Sequence, residues 1–260
     1  MSFSRSIHLA RKSLAADQEP LVCTPLVGAT EEAVARELAV ILPKRPDLLE
    51  WRVDFFSGIA DSGRVVALGQ MIQQQAGSIA LIFTRRSIRE GGQPIPLTEE
   101  QVFELYAAVC GAGCVDLFDY ELSIEARYFR QAVALAKATD CRLIASYHNF
   151  QETPDAPTLV AQFIAMEHAG ADVAKIAVMP KDLRDVLTLL EATLTARHRI
   201  SLPIISMSMG AYGSLSRLFG WLFGSSVSFA VGEQSSAPGQ IPIEQLQTVV
   251  QILQHALKGQ

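Results

Sequence analysis

Eight short apolar runs recur along this chain, and their alternation with longer amphipathic stretches constrains the fold more than any other feature. The runs are 21–28, 48–55, 78–86, 114–122, 141–148, 172–179, 203–209 and 225–232. Segments of helical composition lie between them, among them 30–42, 98–110, 124–138 and 183–197. Thr98, followed by Glu99, Glu100 and Gln101, reads as a capping box opening one of these helices. Strand runs apolar on both faces and separated by helices predict a parallel sheet covered on both sides. Eight βα units within 260 residues match an α/β chain of one domain, closed as a (β/α)8, or TIM, barrel. A doubly wound open sheet is the competing fold, but it uses fewer strands and wants a glycine-rich first turn, whereas Gly28 stands alone.

Composition narrows the function classes. The chain is 49% apolar and 19% charged, as globular proteins are, and its net charge of −5 leaves no general basic surface for nucleic acid. No apolar run reaches the ~20 residues of a membrane span. The N-terminal stretch carries Arg5, Arg11 and Lys12 but no continuous apolar segment, so a secretory signal is not expected; Asp17 and Glu19 count against an organellar transit peptide. Cys23, Cys110, Cys114 and Cys141 form no CxxC pair and lie in or beside apolar runs, which predicts reduced, buried thiols in a cytoplasmic protein.

In a barrel, active sites form at the C-terminal ends of the strands. Lys175 lies within the apolar run 172–179, where burial is expected to lower its pKa and make it a carbonyl nucleophile able to form a Schiff base. A strand-end lysine that snorkels to the surface is the competing reading. Alternation in the second run places Glu50, Arg52 and Asp54 on one face, pointing into the barrel, either as a site or as an internal ion pair. Arg86 and Glu90 can reach the barrel mouth, with Gly91 and Gly92 turning the loop, while Arg85 and Arg89 are expected to be solvated. His148 stands at a strand end, one strand before the lysine, and is a general acid/base candidate; a structural histidine is the alternative. Met207 and Met209 can line a pocket or fill the core. Arg217, placed in the loop that follows, suits a substrate carboxylate, and 235–240 reads as a turn or a lid.

The blocks Glu-Trp-Arg-Val-Asp-Phe (50–55), Phe-Thr-Arg-Arg-Ser-Ile-Arg-Glu-Gly-Gly (83–92), Ser-Tyr-His-Asn-Phe (146–150), Val-Ala-Lys-Ile-Ala-Val-Met-Pro (173–180), Ser-Met-Ser-Met-Gly (206–210) and Ser-Ala-Pro-Gly-Gln (236–240) together resemble type I 3-dehydroquinate dehydratase. The resemblance runs from about Pro20 to the C-terminus, leaving 1–19 as an extension that packs on the barrel or is partly flexible, and 20–260 as the catalytic barrel. It implies a homodimer without metal or organic cofactor that dehydrates 3-dehydroquinate to 3-dehydroshikimate in the shikimate route to aromatic compounds. It also assigns roles: Lys175 as Schiff-base nucleophile, His148 as proton shuttle, Glu90 as its orienting acid, and Arg217 as the grip on the carboxylate. Glu50, Arg52, Arg86, Ser236 and Gln240 match substrate-contact positions, and Met207, Met209 and Phe229 match pocket walls. Three departures stand out: Asn149 where many members have Asp, Pro25 where some have Ser, and Ala211-Tyr212 in place of more polar residues.

Other readings remain. Quinate breakdown would use the same chemical step. A class I aldolase would also use a barrel lysine, but the strand-end histidine and the Glu-x-Arg-x-Asp strand argue against it. A barrel that binds a polyol acid without turnover would be expected to lack Lys175 or His148. A metal-dependent aldolase would need a ligand cluster that the spacing does not supply.

Overall fold

The computed structural model describes residues 5–9, 12–15, 18–234, 236 and 238–258. The described chain opens with a hairpin, β1 (Ile7–His8) antiparallel to β2 (Ser13–Leu14). Eight parallel strands follow: β3 (Leu21–Leu26), β4 (Leu48–Arg52), β5 (Ala80–Thr84), β6 (Leu117–Glu121), β7 (Arg142–Asn149), β8 (Val173–Val178), β9 (Ile204–Ser208) and β10 (Val227–Val231). They alternate with α1 (Glu31–Ile41), α2 (Ser62–Ala76), α3 (Glu99–Gly111), α4 (Ala126–Ala138), α5 (Ala156–His168), α6 (Leu183–Arg197), α7 (Gly210–Phe219) and, after a two-residue β11 (Ile241–Pro242), α8 (Ile243–Lys258). Strands pair in chain order from β3 to β9, and β10 pairs with β3. The ring closes where Ile204 and Ser225 form a parallel bridge and the Ser226 amide donates to Ile204 O at 2.7 Å. This is the (β/α)8 barrel that the alternation predicts.

Period-two alternation sorts the side chains into two cores. Leu49 and Trp51 of β4, Leu81 and Phe83 of β5, and Phe118 and Tyr120 of β6 face the helices. Edge-on ring contacts link Trp51 to Phe83, Phe83 to Tyr106 of α3, and Tyr106 to Tyr120. Each such pair stabilises by about 0.5–1.5 kcal/mol beyond simple burial. Inside the barrel, Leu21, Leu48, Ala80, Leu117 and Val173, each at the start of its strand, form the second core with Ile7 and Leu14 of the hairpin. The hairpin therefore plugs the N-terminal mouth, and the inward positions further along the strands are left for polar side chains.

Helix starts follow from the expected caps. Thr98 accepts from the Gln101 amide while the Gln101 side chain accepts from the Thr98 amide, completing the capping box. Asp61, Asp155 and Asp182 cap α2, α5 and α6 more simply, each side chain accepting from the amide three residues on.

Two expectations are corrected. The strand carrying Glu50 ends at Arg52, and Val53–Phe55 form a 3-10 turn. Asp54 thus leaves the alternation; it accepts two hydrogen bonds from Arg52, at 2.8 Å each, and one from the Gln93 amide at 3.1 Å. Arg217 lies not in a loop but in the last turn of α7. Gly210 and Gly213 obscure that helix in the sequence. A Cβ at Gly213 would fall 2.1 Å from Ser208 O, so glycine there is what lets α7 press directly onto β9.

Pro25 lacks an amide in a central strand, yet the ladder tolerates it. The Leu21 amide donates toward β10, to Ser226 O, and by alternation the position of Pro25 faces the same way. Pairing of β3 with β10 has already ended at Cys23–Phe229, so no ladder bond is lost.

Candidate active site

Strand β8 is hydrogen-bonded between β7 and β9 and turns Val173, Lys175 and Ala177 inward. Lys175 is therefore carried on a backbone paired on both sides, at the boundary between the apolar lower barrel and its polar mouth. Its Nζ donates to Glu50 Oε1 at 3.0 Å and Asp119 Oδ2 at 2.9 Å, and lies 4.7 Å from the centre of the Phe229 ring. Glu50 comes from β4 and Asp119 from β6, and both are buried.

Arg86, just past β5, sits among carboxylates. Its guanidinium donates to Asp119 Oδ1 at 2.8 Å, Glu121 Oε1 at 3.2 Å and Ser146 Oγ at 2.8 Å, with Glu90 at 3.6 Å. Buried charges must be paired to persist, and this network pairs them.

The chain after Arg86 forms a 3-10 turn, Ile88–Glu90, that brings Glu90 back over β7. The turn is tight: a Cβ at Gly92 would lie 1.9 Å from Arg86 O. Glu90 Oε2 accepts from both the amide of His148, at 3.0 Å, and its Nδ1, at 2.9 Å, while Ser123 Oγ donates to Oε1 at 2.6 Å. An ionised Glu90 has no proton to give, so His148 carries its proton on Nδ1 and presents a free lone pair on Nε2.

Arg217 is buried against Phe229 O and Pro238 O, both at 3.3 Å, and Met207 Sδ at 3.7 Å. Among the described residues no carboxylate lies within ion-pair distance of it, and its Nε has no partner. A desolvated guanidinium without an anion is a receptor for one. Gln240 Nε2 donates to Ser236 Oγ at 3.3 Å beside it. Every residue to which the resemblance assigns a role lines one pocket, open at the C-terminal ends of the strands, whereas Asp54 does not reach it. Among the described residues no group of His, Cys, Asp and Glu is arranged to hold a metal ion.

The arrangement can be set beside known proteins. A family model described as type I 3-dehydroquinase matches residues 22–256. The chain belongs to the type I 3-dehydroquinases. It is 61% identical over 260 residues to the 3-dehydroquinate dehydratase of Aromatoleum aromaticum, with 100% of both chains covered. The crystal structure of 3-dehydroquinate dehydratase from Geobacillus kaustophilus superposes with a TM-score of 0.94 at 46% identity, covering 98% of this chain and 99% of that one. The type I enzyme of Clostridium difficile, solved with covalently modified comenic acid, superposes at 0.92 with 33% identity, covering 97% and 99%.

In this type I 3-dehydroquinase the electrostatics depart from the sequence expectation at one important point. Burial alone would favour neutral Lys175, but Asp119 and Glu50 outweigh burial and the opposing Arg86, and the pKa is raised. The expected lowering is therefore corrected. The sequence around Lys175 reveals its burial but not the two carboxylates reaching it from β4 and β6. His148 moves the other way: burial first, then Arg86 and Lys175, hold it well below the ordinary imidazole value despite Asp119, so it is neutral at pH 7. Burial and then Glu121 push Glu90 up to about 7, against Arg86 and Ser123. Burial lowers Arg217 to about 10, still fully charged at neutral pH.

Arg85 is also corrected. It is buried and paired with Glu99 of α3, and its amide is bonded to the Tyr106 hydroxyl, so it braces α3 against the sheet rather than meeting solvent. Asn149 uses its side-chain oxygen to cap the loop amides of Gln151 and Glu152, at 2.9 and 3.1 Å, and its side-chain amide donates to the Tyr147 hydroxyl at 3.2 Å. Asp119, Glu121, Ser123 and Ser146 escape the sequence reading. The β6 segment Leu117-Phe-Asp-Tyr-Glu121 carries two acids at alternate positions, the same inward-facing signal as Glu50 and Arg52 on β4. Ser235 and Ala237, within the 235–240 segment read as a turn or lid, lie outside the described residues, as do parts of 1–19.

Proposed function

We propose that this chain dehydrates 3-dehydroquinate to 3-dehydroshikimate through an imine on Lys175, the step by which the shikimate route makes its first cyclohexene. One observation carries the reading: a single pocket holds a lysine, a neutral histidine oriented by Glu90, and a buried arginine that no carboxylate among the described residues pairs.

Each residue then has a task. Arg217 binds the substrate carboxylate and turns the ring so that its ketone meets Lys175. His148 takes a proton from Lys175, the neutral amine adds to C3, and His148 returns the proton to the departing water. The protonated imine acidifies the C2 hydrogen, which His148 Nε2 removes. The enamine expels the C1 hydroxyl with a proton from His148, and water releases the enone. Glu50, Arg52, Arg86, Ser236 and Gln240 bind ring oxygens; Met207, Met209 and Phe229 exclude water from the imine.

Arg217→Ala is expected to lower kcat/KM by about 30-fold to a few thousand-fold, mostly through KM, equivalent to about 2–5 kcal/mol at about 1.4 kcal/mol per decade. An unchanged KM would remove the carboxylate from this position. The pH profile offers a second test. Glu90 must be ionised to accept from Nδ1, and it loses that form as pH falls through about 7. Activity should therefore drop on the acid side near 7, and Glu90→Gln should erase that limb while lowering the plateau. A limb that survives the substitution belongs to another group.

We further propose that the chain is a cytoplasmic homodimer, with residues 1–19 an extension on a catalytic barrel spanning 20–260. Four buried free thiols suit a reducing compartment, and exposed Leu183, Leu187 and Leu194 on α6 with Tyr212 and Leu215 on α7 supply an apolar face for a second copy. Sedimentation at micromolar concentration should show the dimer, and a monomer would end that assignment. The segment carrying Ser236 and Gln240 closes over substrate in this reading, since Pro238 O already meets Arg217. Limited proteolysis there should slow when substrate is added; equal cleavage would count against closure.

A further inference from the structure

Two carboxylates hold Lys175, and they are not equivalent. Glu50 lines the pocket and can touch a bound ring, whereas Asp119 is fully buried behind the lysine and forms no part of the pocket wall. Asp119 therefore acts on the reaction through groups that touch the ring: directly through Nζ, and secondarily through Arg86 and the field it sets at His148. It is also the more rigidly held of the two: Oδ1 accepts from Arg86 at 2.8 Å and from Ser146 Oγ at 2.6 Å, leaving Oδ2 to face Nζ at 2.9 Å.

The charge balance of the reaction gives this arrangement a purpose. The resting nitrogen is an ammonium with one positive charge. Loss of one proton to His148, addition to the ketone, and departure of water carrying that same proton leave a protonated imine, again with one positive charge on the same atom. Between these two states only the short-lived neutral amine and carbinolamine break the ion pair, and beyond them the enamine does so until loss of the hydroxyl restores the cation. A fixed anion behind Nζ therefore favours both end states and resists the neutral imine, which is the poor electron sink.

We propose that Asp119 is a positioning residue that keeps the reactive nitrogen cationic, first as the ammonium of the empty pocket and then as the protonated imine. The inference rests on the imine reading above. The other groups facing Nζ are Glu50 from β4, Arg86 beyond β5, His148 from β7 and the Cys23 thiol from β3, with the Phe229 ring from β10. Burial and Arg86 oppose a cation there, and Glu50 alone must offset them once Asp119 is neutralised.

The test reads the amine without substrate. Methyl acetimidate reacts only with neutral amines, losing methanol, and peptide mass spectrometry follows its addition to Lys175 as pH is raised. In Asp119→Asn the midpoint should fall by about 1–3 pH units relative to the unsubstituted protein. Asp119→Glu, which restores the charge, should recover part of the shift. With 3-dehydroquinate, Asp119→Asn should lose more in kcat than it gains in KM, the KM change reflecting the loosened Arg86, while borohydride still traps adduct. Coincident labelling curves, or an unchanged kcat, would overturn the proposal. If Asp119→Asn does not fold, the unsubstituted protein decides: labelling of Lys175 that levels off below the ordinary lysine value of about 10.4 contradicts an enforced ammonium, and labelling that still climbs there supports it. Absence of turnover in the unsubstituted enzyme would defeat the proposed reaction yet leave the labelling result standing, so the two failures are distinguishable.

Discussion

Lys175→Ala should abolish turnover of 3-dehydroquinate while leaving its binding measurable. No other amine stands ready to replace the lost one: of the other described lysines, 12, 44, 137, 181 and 258, none lines the pocket, and Lys12, Lys44 and Lys181 form ion pairs elsewhere. Binding should survive because Arg217 and the ring contacts remain. The substitution also leaves Glu50 and Asp119 facing each other without their shared cation. Removing one partner of a buried pair costs about 3–5 kcal/mol. For a chain of this length that should lower Tm by roughly 6–20 °C. Circular dichroism and calorimetry separate this loss from misfolding, and equilibrium dialysis measures the retained substrate. Residual turnover well above background in a folded Lys175→Ala protein would mean that the dehydration does not pass through this amine.

His148→Ala should fail differently. A positioned general base contributes about 10²–10⁴ in rate, and turnover should fall by that amount. Imine formation needs proton transfers as well, yet water can serve them slowly, whereas C2 deprotonation has no substitute base of the right geometry. Covalent adduct should accumulate, visible as added mass on the intact protein even before reduction. Fold should be little affected, since His148 is neutral and its loss frees only Glu90, which Ser123 still satisfies. Nearly full activity in His148→Ala would remove it from the mechanism, and loss of both activity and adduct would move its role to the first step.

Much of this was legible in the chain because periodicity records which way a side chain points. The barrel follows from eight apolar runs, and Lys175 is conspicuous as an amine inside one of them. Charge pairing between strands distant in sequence leaves no such local trace. Asp119 is 56 residues from the lysine it holds, and the raised pKa of Lys175 depends on it. The alternation that points Asp54 inward stops short of it, because the strand turns at Val53. The helix that carries Arg217 is hidden in the sequence because glycines that serve close packing of α7 look like glycines that break helices. The plug at the N-terminal mouth consists of two-residue strands, too short for any period to register.

The most direct test of the central claim is intact and peptide mass after sodium borohydride is added to the protein with 3-dehydroquinate. Reduction of the imine should give one adduct per chain, mapped to the peptide that contains Lys175 and missing from Lys175→Ala, while the enone absorbance of 3-dehydroshikimate rises when borohydride is left out. Turnover without any trapped adduct, or an adduct on a different lysine, would contradict the account.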